Sequence, residues 1–202
     1  MHMDDEPVAS PGATKPLDAA AIGAIAARIR RPIVLVGLMG VGKSTVGRRL
    51  ASMLNTEFID ADDAIEDAAQ MSIAEIFEQF GEEYFRDGER RVIARLIEDS
   101  AGAKGGVIAT GGGAFCNAET RELILSQAIA VWIDCDIDTL VERTSRRDTR
   151  PLLRGGNPRE ILSRLHRERR EFYAQAPICI NSQNGPHHDT AMAIIEAVGQ
   201  WL

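Results

Sequence analysis

The segment from 33 to 45 carries the clearest chemical signal in the chain. Four apolar residues lead into Gly37, and Gly37–Ser44 matches the pattern G-x-x-x-x-G-K-[ST] at every fixed position. Glycines let successive backbone N–H groups surround an anion, and a helix beginning near Lys43 directs its positive end to the same point. Lys43 can reach the β- and γ-phosphates of a nucleotide, and the Ser44 hydroxyl can bind Mg²⁺. The predicted ATP-binding residues of this loop are Gly40, Val41, Gly42, Lys43, Ser44 and Thr45.

Two aspartates follow the next apolar run at a spacing of two residues. Asp60 and Asp62 come at the end of the predicted strand, where open α/β sheets bind their ligands. One carboxylate can therefore lie near Mg²⁺ and the other near an acceptor hydroxyl. An equal alternative is that Asp62 or Asp63 caps the helix that follows.

An arginine and a glutamate lie three positions apart in a predicted helix. Arg86 and Glu89 can pair at this spacing, and a guanidinium held in place suits the capture of a carboxylate by two hydrogen bonds. The same pair would also fit a solvated helix face.

Three consecutive glycines follow the third apolar run. Gly111, Gly112 and Gly113 stand at a predicted strand exit, where the absence of side chains lets a ligand approach the backbone closely. The alternative is a flexible turn.

An arginine-rich segment stands out in a chain whose net charge is −7. Gly155 and Gly156 give it mobility, so we expect a lid that closes over ATP and brings an arginine onto the transferred phosphoryl group. Nucleic-acid contact is the alternative, but no aromatic residues are interleaved for base stacking. The arginines are Arg143, Arg146, Arg147, Arg150, Arg154 and Arg159.

Apolar runs and helical patterns alternate along the rest of the chain. Because the runs are continuously apolar, they predict a parallel sheet covered on both faces. The predicted strands are Ile33–Gly37, Glu57–Asp60, Val107–Thr110, Ala130–Asp134 and Ile178–Asn181. The predicted helices are Asp18–Arg30, capped by Asp18, and Lys43–Leu54, Ala61–Ala69, Ile73–Phe80, Tyr84–Asp99, Ala118–Ser126, Ile137–Arg147, Pro158–Gln175 and Asp189–Leu202.

Composition narrows the possible partners and location. The acidic balance, with a pI of about 5.2, argues against a general binder of nucleic acid or anionic membranes. No signal peptide and no long apolar span is evident, so we expect a cytoplasmic protein. Of the cysteines, Cys135 and Cys179 are expected to be buried thiols, and Cys116 lies near the glycines without a base to activate it. Residues 1–17 are expected to form a disordered tail.

Taken together, these motifs resemble the shikimate kinase family over residues 32–180. The resemblance rests on their order along the chain, which is far more specific than the phosphate-loop pattern alone. The matching segments are Gly37–Gly47, Asp60-x-Asp62, Ile76-Phe77, Gly81-Glu82, Phe85-Arg86-x-x-Glu89, Gly111–Gly113, Arg150-Pro151-Leu152-Leu153, and Arg169 before Tyr173.

The resemblance implies a P-loop α/β fold with a five-stranded parallel sheet, a mobile lid and a substrate-binding helical region. It implies ATP-dependent phosphorylation of the 3-hydroxyl of shikimate, with Mg²⁺. Because no strong apolar seam is left over in the sequence, we expect a monomer. An extension over 1–30 would precede a kinase domain over 31–202. Alternatives are a gluconate-type or nucleotide kinase, a non-catalytic sensing domain of the same fold, and a simple NTPase switch.

The resemblance also implies a role for individual residues. Asp62 would hold the shikimate hydroxyls and help to deprotonate the accepting one, while Asp60 and Ser44 would hold Mg²⁺. Lys43 and Arg150 would act on the phosphates, and Arg143 would stack near adenine. The residues implied to bind shikimate are Asp62, Arg86 oriented by Glu89, Gly111, Gly112, Gly113 and Arg169.

Overall fold

The computed structural model describes residues 17–101, 105–145, 157–182 and 185–202. Within them, five parallel strands form one sheet in the order β2-β3-β1-β4-β5, which confirms the predicted architecture. The strands are β1 (Ile33–Val36), β2 (Glu57–Asp60), β3 (Gly106–Ala109), β4 (Ile129–Asp134) and β5 (Ile178–Asn181). Each lies within one residue of its predicted bounds. The central strands β1, β3 and β4 are almost entirely apolar and buried, as is typical of parallel strands covered on both faces, whereas the edge strands β2 and β5 are only partly buried.

The strand register brings the predicted chemical segments to one edge of the sheet. Asp60 pairs with Ala109, so the loops that follow β2 and β3 leave the sheet at the same level. Leu35 also pairs with Ala109, which places the loop after β1 beside both. The carboxyl ends of these strands therefore hold the aspartates, the phosphate loop and the three glycines close together.

Eight α-helices are described, and most match the predicted bounds. They are α1 (Ala19–Ala26), α2 (Lys43–Leu54), α3 (Ala61–Ala69), α4 (Ile73–Asp99), α5 (Ala118–Gln127), α6 (Ile137–Ser145), α7 (Pro158–Tyr173) and α8 (His187–Trp201); a 3₁₀ turn spans Ala114–Cys116. The helix α1 is capped by Asp18 as predicted, since the Asp18 side chain accepts from Ala21 N at 2.8 Å. It ends before Arg30, and its Ile25 packs against Gly199 of α8.

The segment α4 consists of two helices joined at a kink, in agreement with the separate predicted helices Ile73–Phe80 and Tyr84–Asp99. Gly81 lies at the kink, with φ 82° and ψ 177°, a backbone conformation almost restricted to glycine. Before the kink, Ile76 belongs to a small apolar cluster with Ile65 and Phe85. After the kink, Ile93 and its neighbours pack into the main core beneath the sheet.

The cysteine prediction is half right. Cys135 is buried, but Cys179 is exposed, so the prediction of a buried thiol there is wrong. The reason is that β5 is an edge strand, and only its Ile178 is fully buried. Across the described parts of the chain, none of the helices is both long and apolar enough to cross a bilayer.

Candidate active site

The phosphate loop connects β1 to α2 through backbone conformations that favour glycine. Gly37, Gly40 and Gly42 have φ values of 135°, 88° and 95°. At Gly42, which precedes α2, no side chain caps the helix. The first N–H groups of α2 therefore lack a side-chain acceptor, and the positive end of the helix faces the loop, as an anion site requires.

Lys43 spans this loop. Its side chain is buried, and Nζ donates to the carbonyls of Gly37 at 2.8 Å and Leu38 at 2.9 Å. The ammonium group is thus held against the loop at the start of α2. This is the position expected of a lysine that binds the phosphates of a nucleotide.

Ser44 and Asp60 bring two hard oxygen ligands together beside the loop. Ser44 Oγ donates to Asp60 Oδ2 at 2.6 Å. The other oxygen of Asp60 accepts from Asp62 N at 3.2 Å, so Asp60 is the N-cap of α3. The alternative that Asp62 or Asp63 caps this helix is therefore wrong, because both lie in its first turn.

The pKa of Asp62 is raised. Burial is the main cause, and the nearby Asp60 carboxylate adds to it, while the Lys43 ammonium opposes both. Asp62 therefore lies within electrostatic reach of both the metal-binding candidate and the phosphate-binding lysine. A buried carboxylate with a raised pKa is a better proton acceptor than an ordinary aspartate.

Arg86 and Glu89 form the predicted ion pair. Arg86 Nη1 lies 2.7 Å from Glu89 Oε2, and the Glu89 side chain is only 2% exposed. Burial raises the pKa of Glu89, although Arg86 opposes the shift. Since Arg86 itself is three-quarters buried and Glu82 contacts its other side at 3.2 Å, the alternative of a solvated helix face does not describe this pair.

The three glycines of the β3 exit lie between the other parts of the site. A Cβ at Gly111 would lie 2.8 Å from Asp62 Oδ1, and one at Gly113 would lie 2.6 Å from Arg86 Nη2. A Cβ at Gly112 would lie 3.2 Å from Met39 N in the phosphate loop. A side chain at these positions would displace the Asp62 carboxylate, the Arg86 guanidinium or the phosphate loop, so the close approach of these groups favours glycine.

Arg169 reaches the same loop from α7. Its Nη1 donates to the Gly112 carbonyl at 2.9 Å. The Tyr173 hydroxyl donates to the same oxygen at 2.5 Å, a contact that spacing gave no means to foresee because 61 residues separate the two. Cys116 lies beside Tyr173, and burial raises the pKa of its thiol, as expected for a cysteine without an activating base.

Arg143 and His187 approach the phosphate loop from the opposite side. Arg143 Nη1 donates to Val41 O at 3.2 Å, which links α6 to the loop. The His187 ring at the start of α8 packs on Gly42, where a Cβ would lie 3.2 Å from His187 Cε1. His187 was not anticipated, since no motif surrounds it. Arg150 and the lid arginines Arg146, Arg147 and Arg154 lie outside the described residues.

This geometry defines the class of protein. A glycine-rich loop at the amino end of α2 and a pocket containing two arginines and a buried carboxylate meet at one edge of a parallel sheet. The arrangement is that of a P-loop kinase that phosphorylates a small molecule.

Comparison with known proteins gives the family. Residues 39–199 match the family model described as shikimate kinase, and the chain belongs to that family. It is 60% identical over 186 residues to the shikimate kinase of Novosphingobium aromaticivorans, covering 92% of this chain and 96% of the relative. The shikimate kinase of Caulobacter vibrioides is 51% identical over 170 residues, covering 84% of this chain and 83% of the relative.

Solved structures agree with this assignment. Shikimate kinase from Acinetobacter baumannii, solved in complex with shikimate, superposes with a TM-score of 0.77 at 37% identity and covers 89% of this chain and 96% of its own. Shikimate kinase from Aquifex aeolicus gives a TM-score of 0.72 at 35% identity, with coverage of 85% and 98%. A gluconokinase from Sinorhizobium meliloti, at 16% identity and a TM-score of 0.55, shares the fold alone, covering 86% of this chain and 95% of its own.

Proposed function

We propose that this chain transfers the γ-phosphoryl group of ATP to the 3-hydroxyl group of shikimate, forming shikimate 3-phosphate and ADP. Membership of the shikimate kinase family supports the reaction. The single observation that carries it to this chain's own residues is the position of Gly111–Gly113. This loop is in close contact with Asp62, with the phosphate loop and with Arg86 at successive residues, so donor and acceptor can meet across it.

The acceptor pocket suits a carboxylated polyol. Arg86 and Arg169 provide two guanidinium groups for the carboxylate, and Glu89 holds Arg86 from beneath. Asp62 provides oxygen acceptors for the ring hydroxyls and receives the proton from the hydroxyl that attacks. The backbone N–H of Gly112 is the expected contact on the ring.

Phosphoryl transfer itself depends mainly on positioning and on neutralising charge. Lys43 and the first turn of α2 hold the β- and γ-phosphates, while the Val41 and Thr45 backbones complete the loop. The hydroxyl oxygen forms a bond to the γ-phosphorus as the bond to the β,γ-bridging oxygen breaks. Arg143 and Arg150 are proposed to contact the adenine side and the transferred phosphoryl group respectively.

The residues present fit a magnesium ion bound together with ATP. The hydroxyl–carboxylate pair of Ser44 and Asp60 is separated by 2.6 Å and consists of hard oxygen ligands. Among the described residues there is no cluster of three or more histidine, cysteine, aspartate or glutamate side chains that could hold a metal alone. Mg²⁺ commonly binds in this way, through one or two protein oxygens with the remaining ligands from phosphate and water. When bound, the ion would neutralise charge on the phosphates.

Several companion proposals concern the whole protein. Residues 1–30 are proposed to be an extension to a kinase domain over 31–202, and α1 contributes packing rather than chemistry. A monomer and a cytoplasmic location remain predictions, as does the absence of nucleic-acid and membrane partners. Gel filtration with light scattering would test the oligomeric state.

The test is an ADP-release assay with ATP, Mg²⁺ and a panel of acceptors. We expect ADP release that depends on shikimate, with no comparable rate on gluconate or on a nucleoside monophosphate. Release without any acceptor would indicate a simple NTPase, and no release with shikimate would indicate a non-catalytic sensing domain. Either outcome would reject the proposal.

A further inference from the structure

The Gly112 carbonyl is the meeting point of two donors from one helix. Arg169 Nη1 and the Tyr173 hydroxyl, one turn apart on α7, donate to this oxygen at 2.9 Å and 2.5 Å. A carbonyl has two lone pairs, so both bonds can be satisfied together. The glycine loop is thus tied to α7 at one atom.

Tyr173 is held more firmly than Arg169. Its side chain is 1% exposed, and its ring stacks on Trp132 of β4 with centroids 6.0 Å apart. Burial also raises the pKa of the Tyr173 hydroxyl, which keeps it protonated and able to donate. Arg169 is only partly buried, so it can turn toward a ligand while Tyr173 stays in place.

The peptide held by Tyr173 lies between the two halves of the site. A Cβ at Gly112 would be 3.2 Å from the phosphate loop at Met39 N and 3.6 Å from Arg169 Nη1. Because the peptide group is planar and trans, fixing the Gly112 carbonyl also fixes the direction of the Gly113 N–H, and Gly113 adjoins Arg86. The hydrogen bond from Tyr173, together with that from Arg169, therefore positions backbone that lies next to both arginines of the acceptor pocket.

We propose that Tyr173 is a positioning residue for the acceptor: its hydroxyl fixes the Gly112 peptide and thereby the spacing of the glycine loop, Arg169 and Arg86. Tyr173 does not touch the substrate, and it acts through Gly112. The proposal rests on the proposed function, because it assigns Tyr173 to the shikimate side of that reaction. It predicts that losing the hydroxyl weakens acceptor binding and leaves nucleotide binding intact.

The experiment compares wild type with Tyr173→Phe, which keeps the ring on Trp132 and removes only the donor. We expect kcat/KM for shikimate to fall about tenfold, mostly through KM, as for the loss of one buried hydrogen bond, and the KM for ATP to stay within about twofold. Circular dichroism and Tm would establish that the variant is folded. Wild-type turnover is measured first, so that failure of the proposed function would be seen independently of the variant.

Thr56→Val is the matched control. Thr56 Oγ1 donates to the carbonyl of Gly105 at 2.6 Å, which is the same type of bond placed at the opposite ends of the strands. This variant should leave both KM values unchanged. A Tyr173→Phe enzyme with unchanged kcat/KM for shikimate, a loss of Tm alone, or equal rises in both KM values would overturn the proposal.

Discussion

The two sides of the proposed active site are attached to the protein in different ways. The phosphate loop lies between β1 and α2, whose residues belong to the main core: Val36 and Val46 are completely buried. Arg86, on the acceptor side, follows the kink of α4 and is preceded by a small separate cluster around Phe85. The large exposed aromatic side chains of the described residues include Phe77, Phe80 and Tyr84, all on this part of α4.

The difference indicates which side is formed before substrates bind. A loop enclosed by the core keeps its shape without a ligand, whereas a helix segment with few buried contacts can move at modest cost. We therefore expect changes on the phosphate side to affect chemistry, and changes on the first half of α4 to affect acceptor binding. The following experiments test that division.

Lys43→Ala should have the largest effect. It removes a buried ammonium group from the phosphates, so kcat/KM for ATP should fall on the order of 10³-fold, as for loss of one preorganised transition-state donor. Calorimetric titration of shikimate without nucleotide should give the wild-type Kd. Arg49→Ala, an exposed change on the same helix, is the control. An equal loss of shikimate affinity in Lys43→Ala would contradict the division.

Arg86→Ala should break the acceptor side alone. It removes a carboxylate ligand and leaves Glu89 buried without its cation, so kcat/KM for shikimate should fall roughly 10²-fold while the KM for ATP is unchanged. Arg90→Ala is the matched control one turn later. Arg90 forms ion pairs with Asp87, at 2.8 Å, and with Glu119, at 3.0 Å, rather than with residues of the acceptor pocket. Similar losses for both substrates would show that the two sides are not separable.

The pH profile should report on Asp62. Burial and the Asp60 carboxylate raise its pKa, and the proton acceptor must be ionised, so kcat/KM for shikimate should fall as pH decreases through that raised value. Asp60→Asn removes the neighbouring charge and should move this acid limb to lower pH, whatever its effect on the maximum rate. Steady-state kinetics across pH would measure the limb, and an unmoved or upward-shifted limb would argue against Asp62 as the proton acceptor.

A pair of glycines in α4 should show the smallest effects. Gly81→Ala introduces a side chain with no steric conflict but at a positive φ, so stability should fall by about 1–3 kcal/mol and the shikimate KM should rise a few-fold. Gly88→Ala, in the regular part of the same helix, should instead stabilise by about 0.5–1 kcal/mol and leave KM alone. Urea unfolding and kinetics would distinguish the two. Equal effects would indicate that the kink does not govern Arg86.

Local sequence patterns predicted the sheet, most of the helices and the ion pair between residues of the same helix. The apolar runs predicted all five strands, most strongly the central strands β1, β3 and β4, which are buried along almost their whole length. The spacing of Arg86 and Glu89 predicted their ion pair because helical geometry brings residues three apart together. The prediction that Cys179 is buried was wrong because an apolar run does not reveal that its strand lies at an edge of the sheet.

Contacts between distant segments could not be predicted in the same way. The contacts of Tyr173 with Gly112 and of His187 with Gly42 depend on how α7 and α8 pack on the sheet. Spacing along the chain does not predict that packing. Site roles carried over from the family, including those of Arg143 and Arg169, remain predictions until substrates are bound.

The stacking of Trp132 on Tyr173 gives this protein an intrinsic optical probe. Trp132 is 6% exposed and Trp201 is 39% exposed, and the sequence contains two tryptophans in all. Replacing Trp201 with phenylalanine would leave a single emitting indole, one aromatic ring away from the glycine loop. Its fluorescence could then follow occupation of the acceptor pocket in real time, without ATP and without turnover.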